Sequence, residues 1–306
     1  MRAVVTAEQG AAASLAEVPT PRPGAGELLV RVRASSVNGF DLSVATGYLV
    51  GMMEHRFPVV LGKDFAGTVA GVGRGVSRFS VGEAVFGVVT KPFLGDGGFA
   101  EYVTVPEAVG VAALPAGVAP AAAGAVGLAG TAALDCLAAT APQRGETVLV
   151  SGATGGVGAI AVQYAAAVGA RVVATARPGA EADFVRGLGA AHVVDHAGDV
   201  PAQVRAVAGD GVDVVLHFAG DGPTVAGLLA EKGRLASLLG FGADQHPAAT
   251  FVMAHPAGDT LDQLAADLAA GRLTVPVSRT YPLAEVPAAF AAFTAGTHGK
   301  IAITVP

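Results

Sequence analysis

The pattern of apolar and polar positions changes character once along the chain, near Pro120. Before it, short β-type runs recur, among them Glu27 to Ala34, Ala66 to Val72 and Phe99 to Val105, separated by turns rich in glycine and proline. After it, strand and helix patterns alternate, with apolar runs at Val148 to Val150, Arg171 to Thr175, His192 to Val194, Val212 to His217 and Arg234 to Leu239. Such alternation predicts right-handed crossovers and a parallel sheet covered on both faces. A further apolar run, Thr250 to Met253, precedes a helix around Leu261 to Ala270 and a closing strand, Lys300 to Val305, in the style of the first half. The expected architecture is α/β: a Rossmann-type doubly wound domain, residues 119–256, inserted in a mostly-β domain formed by residues 1–118 and 257–306. No tandem repeat at a solenoid period is visible.

One junction in the alternating half carries chemistry. Residues 147 to 158 run from an apolar strand into a glycine-rich turn and then a helix. Gly155 and Gly158 supply the second and third glycines of a dinucleotide-binding turn, with Ala153 in place of the first. A helix opening at Gly156 would aim free N–H groups and its dipole at a pyrophosphate. Ala153, Thr154, Gly155, Gly156, Val157 and Gly158 are therefore candidate cofactor-binding residues. Where NAD-selective sites place an acid at the end of the second strand, this chain has Thr175-Ala176-Arg177. Arg177 suits the 2′-phosphate of NADPH through a charge-assisted fork; the alternative is a solvated loop residue before Pro178 and Gly179.

Composition narrows the partners. The 306 residues are 52% hydrophobic and 14% charged, which favours a large core over disorder. A net charge of -6 without a Lys/Arg run gives no electrostatic footprint for nucleic acid or an anionic membrane. Residues 109 to 134 carry no charge, yet Pro115, Pro120 and the many alanines and glycines make a membrane span an unfavoured reading. Met1 to Glu8 reads as a short strand rather than a signal peptide, so a cytoplasmic location is expected. The single cysteine, Cys136, builds neither a disulfide framework nor a multi-cysteine metal site and is expected to pack as a small hydrophobe.

The order and spacing of several segments resemble the medium-chain dehydrogenase/reductase superfamily, in its zinc-free quinone oxidoreductase and enoyl reductase branch. They are Val32 to Asp41, Phe57 to Gly67, Phe79 to Glu83, Gly98 to Tyr102, Gly130-Thr131-Ala132, the glycine turn, and Gly299-Lys300. The resemblance implies a GroES-like fold for the outer domain, an active site in the cleft between domains, and a homodimer paired through nucleotide-domain sheet edges, for which Thr250 to Met253 is the candidate edge. Zinc-dependent members place a Cys ligand near Asn38 and a Gly-His-Glu triplet where this chain has Gly62-Lys63-Asp64; both ligand positions are lost, and no metal is expected. Without a Lewis acid, alcohol oxidation is the least supported chemistry.

The same resemblance marks further residues, each with a plainer alternative. Asn38 would line the nicotinamide cleft and donate to a developing oxyanion, or cap a helix; Asp41 is read as the acid of that helix start. Tyr48, one residue early for the family's Gly-x-Tyr, would donate a proton or pack as an ordinary aromatic. Residues 49 to 56 would roof a pocket for a bulky apolar substrate, or form a plain loop. Lys63 would pair with Asp64 in the space of the metal, or polarise the substrate oxygen. Thr131 would contact the cofactor or cap a helix. His196 would stack on adenine or reach the 2′-phosphate, or be solvated. Phe218, at the carboxyl edge of the parallel sheet, is a cofactor-binding candidate beside His217, which is read mainly as a core histidine. Phe241 would abut the nicotinamide and substrate, or plug a seam.

The expected activity is NADPH-dependent, zinc-independent hydride transfer to a quinone or an enone-type double bond. The alternatives are an enoyl-thioester or polyketide-tailoring reductase and, outside enzymes, an NADPH-binding sensor or structural module.

Overall fold

The computed structural model describes residues 1–306, which form two compact units, Met1–Leu128 with Pro256–Pro306, and Ala129–His255. The first boundary lies inside the helix Pro120–Thr140 rather than near residue 118. The alanine-rich stretch after Pro120 holds no further proline, so the helix propagates uninterrupted across it. By length and composition this helix is apolar enough to cross a membrane, but 61% of its most apolar window is buried inside the protein. Ala123, Val126, Ala129, Ala133 and Cys136 are almost completely covered, so its apolar character serves a core.

In the first unit a seven-stranded sheet is organised around Glu27–Ser36. Along that strand Val30, Val32 and Ala34 are buried while Arg31 and Arg33 are exposed, the period-two alternation of a sheet with one wet face. It pairs antiparallel with Asp64–Val72, with Tyr102–Pro106 and with the closing strand Lys300–Thr304. The register Ala302↔Ser36 and Thr304↔Ala34 brings the start of the closing strand alongside the residues that follow Ser36. Beneath lies a core that includes Leu28, Val32, Phe65, Val85, Phe99, Val103, Ile301 and Ile303. Each large side chain so buried contributes about 1.5–3 kcal/mol of transfer free energy.

The second unit is a six-stranded parallel sheet in the order His192–Val194, Arg171–Thr175, Thr147–Ser151, Val212–His217, Leu229–Ser237, Ala249–Phe251. Thr147–Ser151 is buried along its whole length, as a strand covered on both faces must be. Chain order reverses between it and Val212–His217, the switch point at which open α/β sheets bind ligands. The fifth strand begins at Leu229, ahead of the expected Arg234; the exposed Glu231 and Lys232 in its first half leave no apolar pattern to mark that start.

Candidate functional site

In the second unit, the strand Thr147–Ser151 and the helix Gly156–Ala167 are joined by a turn shaped by two glycines. Gly152 has φ +85, the left-handed region that a side chain resists. At Gly158 a Cβ would overlap the carbonyl of Gly152 and the Cα of Ala153, so only glycine lets the helix approach its strand. At Gly155, the N-cap, a Cβ would meet nothing nearer than Gly152 O at 3.5 Å, and the protein leaves that side open. The first intrahelical bond is Ala159 N–H to Gly155 O, so the amides of Gly156, Val157 and Gly158 precede the ladder, as the first turn of a helix requires. These residues fit a dinucleotide pyrophosphate. Thr175 belongs to the same construction: its Oγ1 accepts the Gly152 N–H at 2.9 Å.

Arg177 and His196, 19 positions apart in the sequence, are brought to one carboxylate that the sequence reading did not single out. Glu181 Oε2 accepts the Arg177 backbone N–H at 2.8 Å and lies 3.4 Å from His196 Nε2. Arg177 is exposed.

At the carboxyl end of the sheet, Phe218 N–H bonds Ser151 O at 2.9 Å, tying that residue to the glycine-turn strand. His217 is a satisfied core histidine: Nε2 meets Gly220 O at 3.1 Å and Nδ1 meets Ser237 Oγ at 2.9 Å. A carbonyl only accepts, so the neutral ring carries its proton on Nε2. Burial holds its pKa below the usual histidine value. Phe241 sets its ring edge-on to His217, with centroids 6.2 Å apart, and fills the space above Gly222. Thr131 is fully buried within the long helix.

The first unit holds a buried cluster of charge. Asn38 ends the extended segment after Glu27–Ser36 and caps the helix Gly39–Ala45; Asp41, in its first turn, accepts the Asn38 N–H through Oδ2 at 2.9 Å and the Lys63 N–H through Oδ1 at 2.9 Å. Asp64, fully buried, accepts from Leu128 N–H at 2.8 Å on Oδ1, and from Ser36 Oγ at 2.5 Å and Asn38 Nδ2 at 2.8 Å on Oδ2. Lys300 Nζ donates to Val37 O at 3.0 Å and to Asn38 Oδ1 at 2.5 Å, and stands 3.7 Å from Asp64 Oδ2. Burial, and then the neighbouring Asp64, push the Asp41 carboxyl up to about 7. Burial lowers both Lys300 and Lys63 from the usual lysine value, against the pull of the two aspartates.

The cluster differs from the expected arrangement. The side chain beside Asp64 is Lys300, not Lys63, whose ammonium turns to Val89 O at 2.6 Å and lies 4.9 Å above the Phe40 ring. Both polar atoms of the Asn38 amide are engaged within the protein. Tyr48 joins neither construction: it is 72% exposed on the turn after the helix. Nothing local marks Lys300 or Ser36 as a site residue: Ser36 meets Asp64 only across the sheet, and the Lys300 partners lie some 260 positions away, where the strand register alone brings them together.

Two family models match the chain: the alcohol dehydrogenase GroES-like domain over residues 24–116 and the zinc-binding dehydrogenase model over 188–303. A chloroplast envelope quinone oxidoreductase homolog from Arabidopsis thaliana is 35% identical over 219 residues, covering 69% of this chain and 65% of the relative. A mycocerosic acid synthase-like polyketide synthase from Mycobacterium tuberculosis is 35% identical over 316 residues, covering 93% of this chain; the chain spans only 14% of that synthase. Among solved structures, the quinone oxidoreductase from Coxiella burnetii superposes with a TM-score of 0.89 at 26% identity, covering 100% of this chain and 99% of that one. Mycobacterial Rv1454c complexed with NADPH gives 0.84 at 28% identity, covering 99% of each chain. The zinc named by the second model does not fit the residues present: at the two catalytic-ligand positions the donors are an amide engaged on both atoms and an ammonium.

Proposed function

Since the chain belongs to the medium-chain dehydrogenase/reductase superfamily, in its quinone oxidoreductase branch, we propose that it is an NADPH-dependent, zinc-independent reductase acting on quinones or enone-type double bonds. The observation that carries this reading is the glycine turn, whose open side at Gly155 and close packing at Gly158 suit a dinucleotide. When bound, the nicotinamide supplies the hydride; the acceptor is activated by its own conjugation.

The chain's residues then have these tasks. The amides of Gly156, Val157 and Gly158 hold the pyrophosphate, with Ala153 and Thr154 shaping the turn and Thr175 bracing it at Gly152. Arg177 and His196 recognise the 2′-phosphate, and the likeness to a structure complexed with NADPH supports that choice. Thr131 and Phe218 contact the cofactor, and Lys63 and Phe241 contact the substrate. Asn38 sets the site through the cluster it is bound into, and Tyr48, the exposed phenol that follows, protonates the reduced substrate oxygen. The reading carries a cytoplasmic location and a homodimer paired through the edge strand Ala249–Phe251, whose exposed Phe251 and neighbouring Met253 support it; light scattering checks the latter.

The test is the oxidation of NADPH and NADH against a panel of quinones, enones and enoyl thioesters. Turnover with NADPH and a quinone or enone is expected. Tight NADPH binding without turnover on any acceptor would overturn the enzyme in favour of an NADPH-binding module. The second reading, reduction of an enoyl thioester, is favoured by one observation: the polyketide synthase match covers 93% of the chain, more than the 69% of the plant quinone oxidoreductase homolog. Turnover confined to thioesters selects it. Tyr48→Phe lowers kcat if the phenol is the proton donor and leaves it unchanged otherwise.

A further inference from the structure

We propose that Lys300 is the built-in cation of the first unit's buried cluster: a positioning residue whose ammonium fixes the Asn38 amide and balances Asp64 and Asp41 from within the chain. Lys300 is 4% exposed, and its ammonium is surrounded by three kinds of oxygen: the Val37 carbonyl, the Asn38 amide and the Asp64 carboxylate. An ammonium has donors and no acceptor, so it dictates which end of the Asn38 amide faces it. Oδ1 must turn to Lys300, and Nδ2 is then delivered to Asp64 Oδ2 at 2.8 Å and to Ser36 O at 3.2 Å. One cation thereby orders an amide, and the amide orders a carboxylate. Lys63, the other nearby ammonium, is committed to Val89 O.

The cluster is closed without a metal. Asp64 accepts three hydrogen bonds, and Asp41 accepts the backbone N–H groups of Asn38 and Lys63. Of the two nearby ammonium groups, both of which feel the two carboxylates electrostatically, only that of Lys300 is turned into the cluster. Removing the Lys300 charge leaves buried carboxylate charge uncompensated, the situation that destabilises most.

This inference does not rest on reductase activity, and its test reads folding and ionisation only. Wild type, Lys300→Met and Lys300→Met/Asp64→Asn are compared by thermal unfolding, and the Asp41 carboxyl is followed by 13C NMR titration. Lys300→Met should melt well below wild type, and the double variant should recover most of that loss despite carrying two substitutions. In Lys300→Met the Asp41 midpoint should rise by about one pH unit or more, since a neighbouring positive charge has been withdrawn; loss of packing alone would not move it so. If Lys300→Met does not fold, a folded double variant still supports the charge role. A double variant no more stable than the single, failure of both to fold, an Asp41 midpoint unmoved in a folded Lys300→Met, or stoichiometric zinc in purified wild type would each overturn it.

Discussion

The glycine turn of the second unit and the charge cluster of the first make opposite use of side chains. The turn works because side chains are missing: at Gly158 there is no room for one, and at Gly155 its absence bares backbone amides. Everything it needs lies within seven consecutive residues, with Thr175 as its one remote brace. The cluster works because side chains are gathered, from Ser36, Asn38, Asp41, Asp64 and Lys300, and it exists only when distant strands are in register. The turn carries no charged side chain, and its left-handed residue, Gly152, is one that adopts that conformation freely; the cluster holds opposite charges away from water. Damage to the cluster should therefore act mainly on folding, and damage to the turn on ligand binding.

The largest effect should come from breaking the cluster. Asp64→Ala removes the acceptor of three hydrogen bonds and leaves the Lys300 charge buried without its carboxylate, and a loss of about 3–5 kcal/mol is expected in urea denaturation. A loss below 1 kcal/mol would show that the charges carry little of the fold.

The cluster should also set a pH signature that the turn cannot. The Asp41 carboxyl is held at about 7 in the folded chain against 3.8 ordinarily, so the folded state keeps a proton that the unfolded state releases. Its contribution to stability is fullest below pH 3.8, declines as pH rises, and is lost above about 7. Asp41→Asn should abolish that decline, so its stability relative to wild type should rise by about 2–3 kcal/mol between pH 5 and pH 8. His217, depressed by burial, acts in the opposite sense, favouring the fold above the ordinary histidine value of 6.5 and withdrawing that support as pH falls below it. Denaturation curves at the two pH values separate them, because Asp41→Asn leaves the His217 limb intact.

For the turn, Gly158→Ala forces a methyl against Gly152 O and Ala153 Cα, with about 1–3 kcal/mol of overpacking expected in stability. Its sharper readout is NADPH affinity, which should fall at least tenfold because the helix start is displaced from its strand. Equal loss of folding without loss of binding would place the cofactor elsewhere.

The same contrast explains what the sequence could disclose. Arg171–Thr175, His192–Val194 and Val212–His217 were legible to the residue, being short apolar runs bounded by turn signals, and the glycine turn was legible because its information is local. The start of Leu229–Ser237 was hidden by its exposed Glu231 and Lys232. Within the cluster, Asp41 at a helix start could be read from its neighbours, whereas the pairing of Asp64 with Lys300 could not. That pairing depends on a strand register set by the whole core, and Lys63, adjacent to Asp64 in sequence, faces Val89 O instead.

The smallest expected effect tests where the turn's selectivity ends. Glu181 places a carboxylate against both groups proposed to meet the 2′-phosphate, accepting the Arg177 N–H and lying 3.4 Å from His196 Nε2. A carboxylate there repels a phosphate and suits ribose hydroxyls, so Glu181 opposes the preference that Arg177 supports. Glu181→Gln removes the charge while keeping an oxygen to accept the Arg177 N–H, so the loop is preserved and only the electrostatics change. At a partly solvated site such a change amounts to about 0.5–1 kcal/mol, or roughly a two- to fivefold gain in affinity. Calorimetric titration should show that gain for NADPH and none for NADH. A gain shared equally by both would mean that the charge acts on the pyrophosphate common to them, and Arg177 would then lose its claim to the 2′-phosphate.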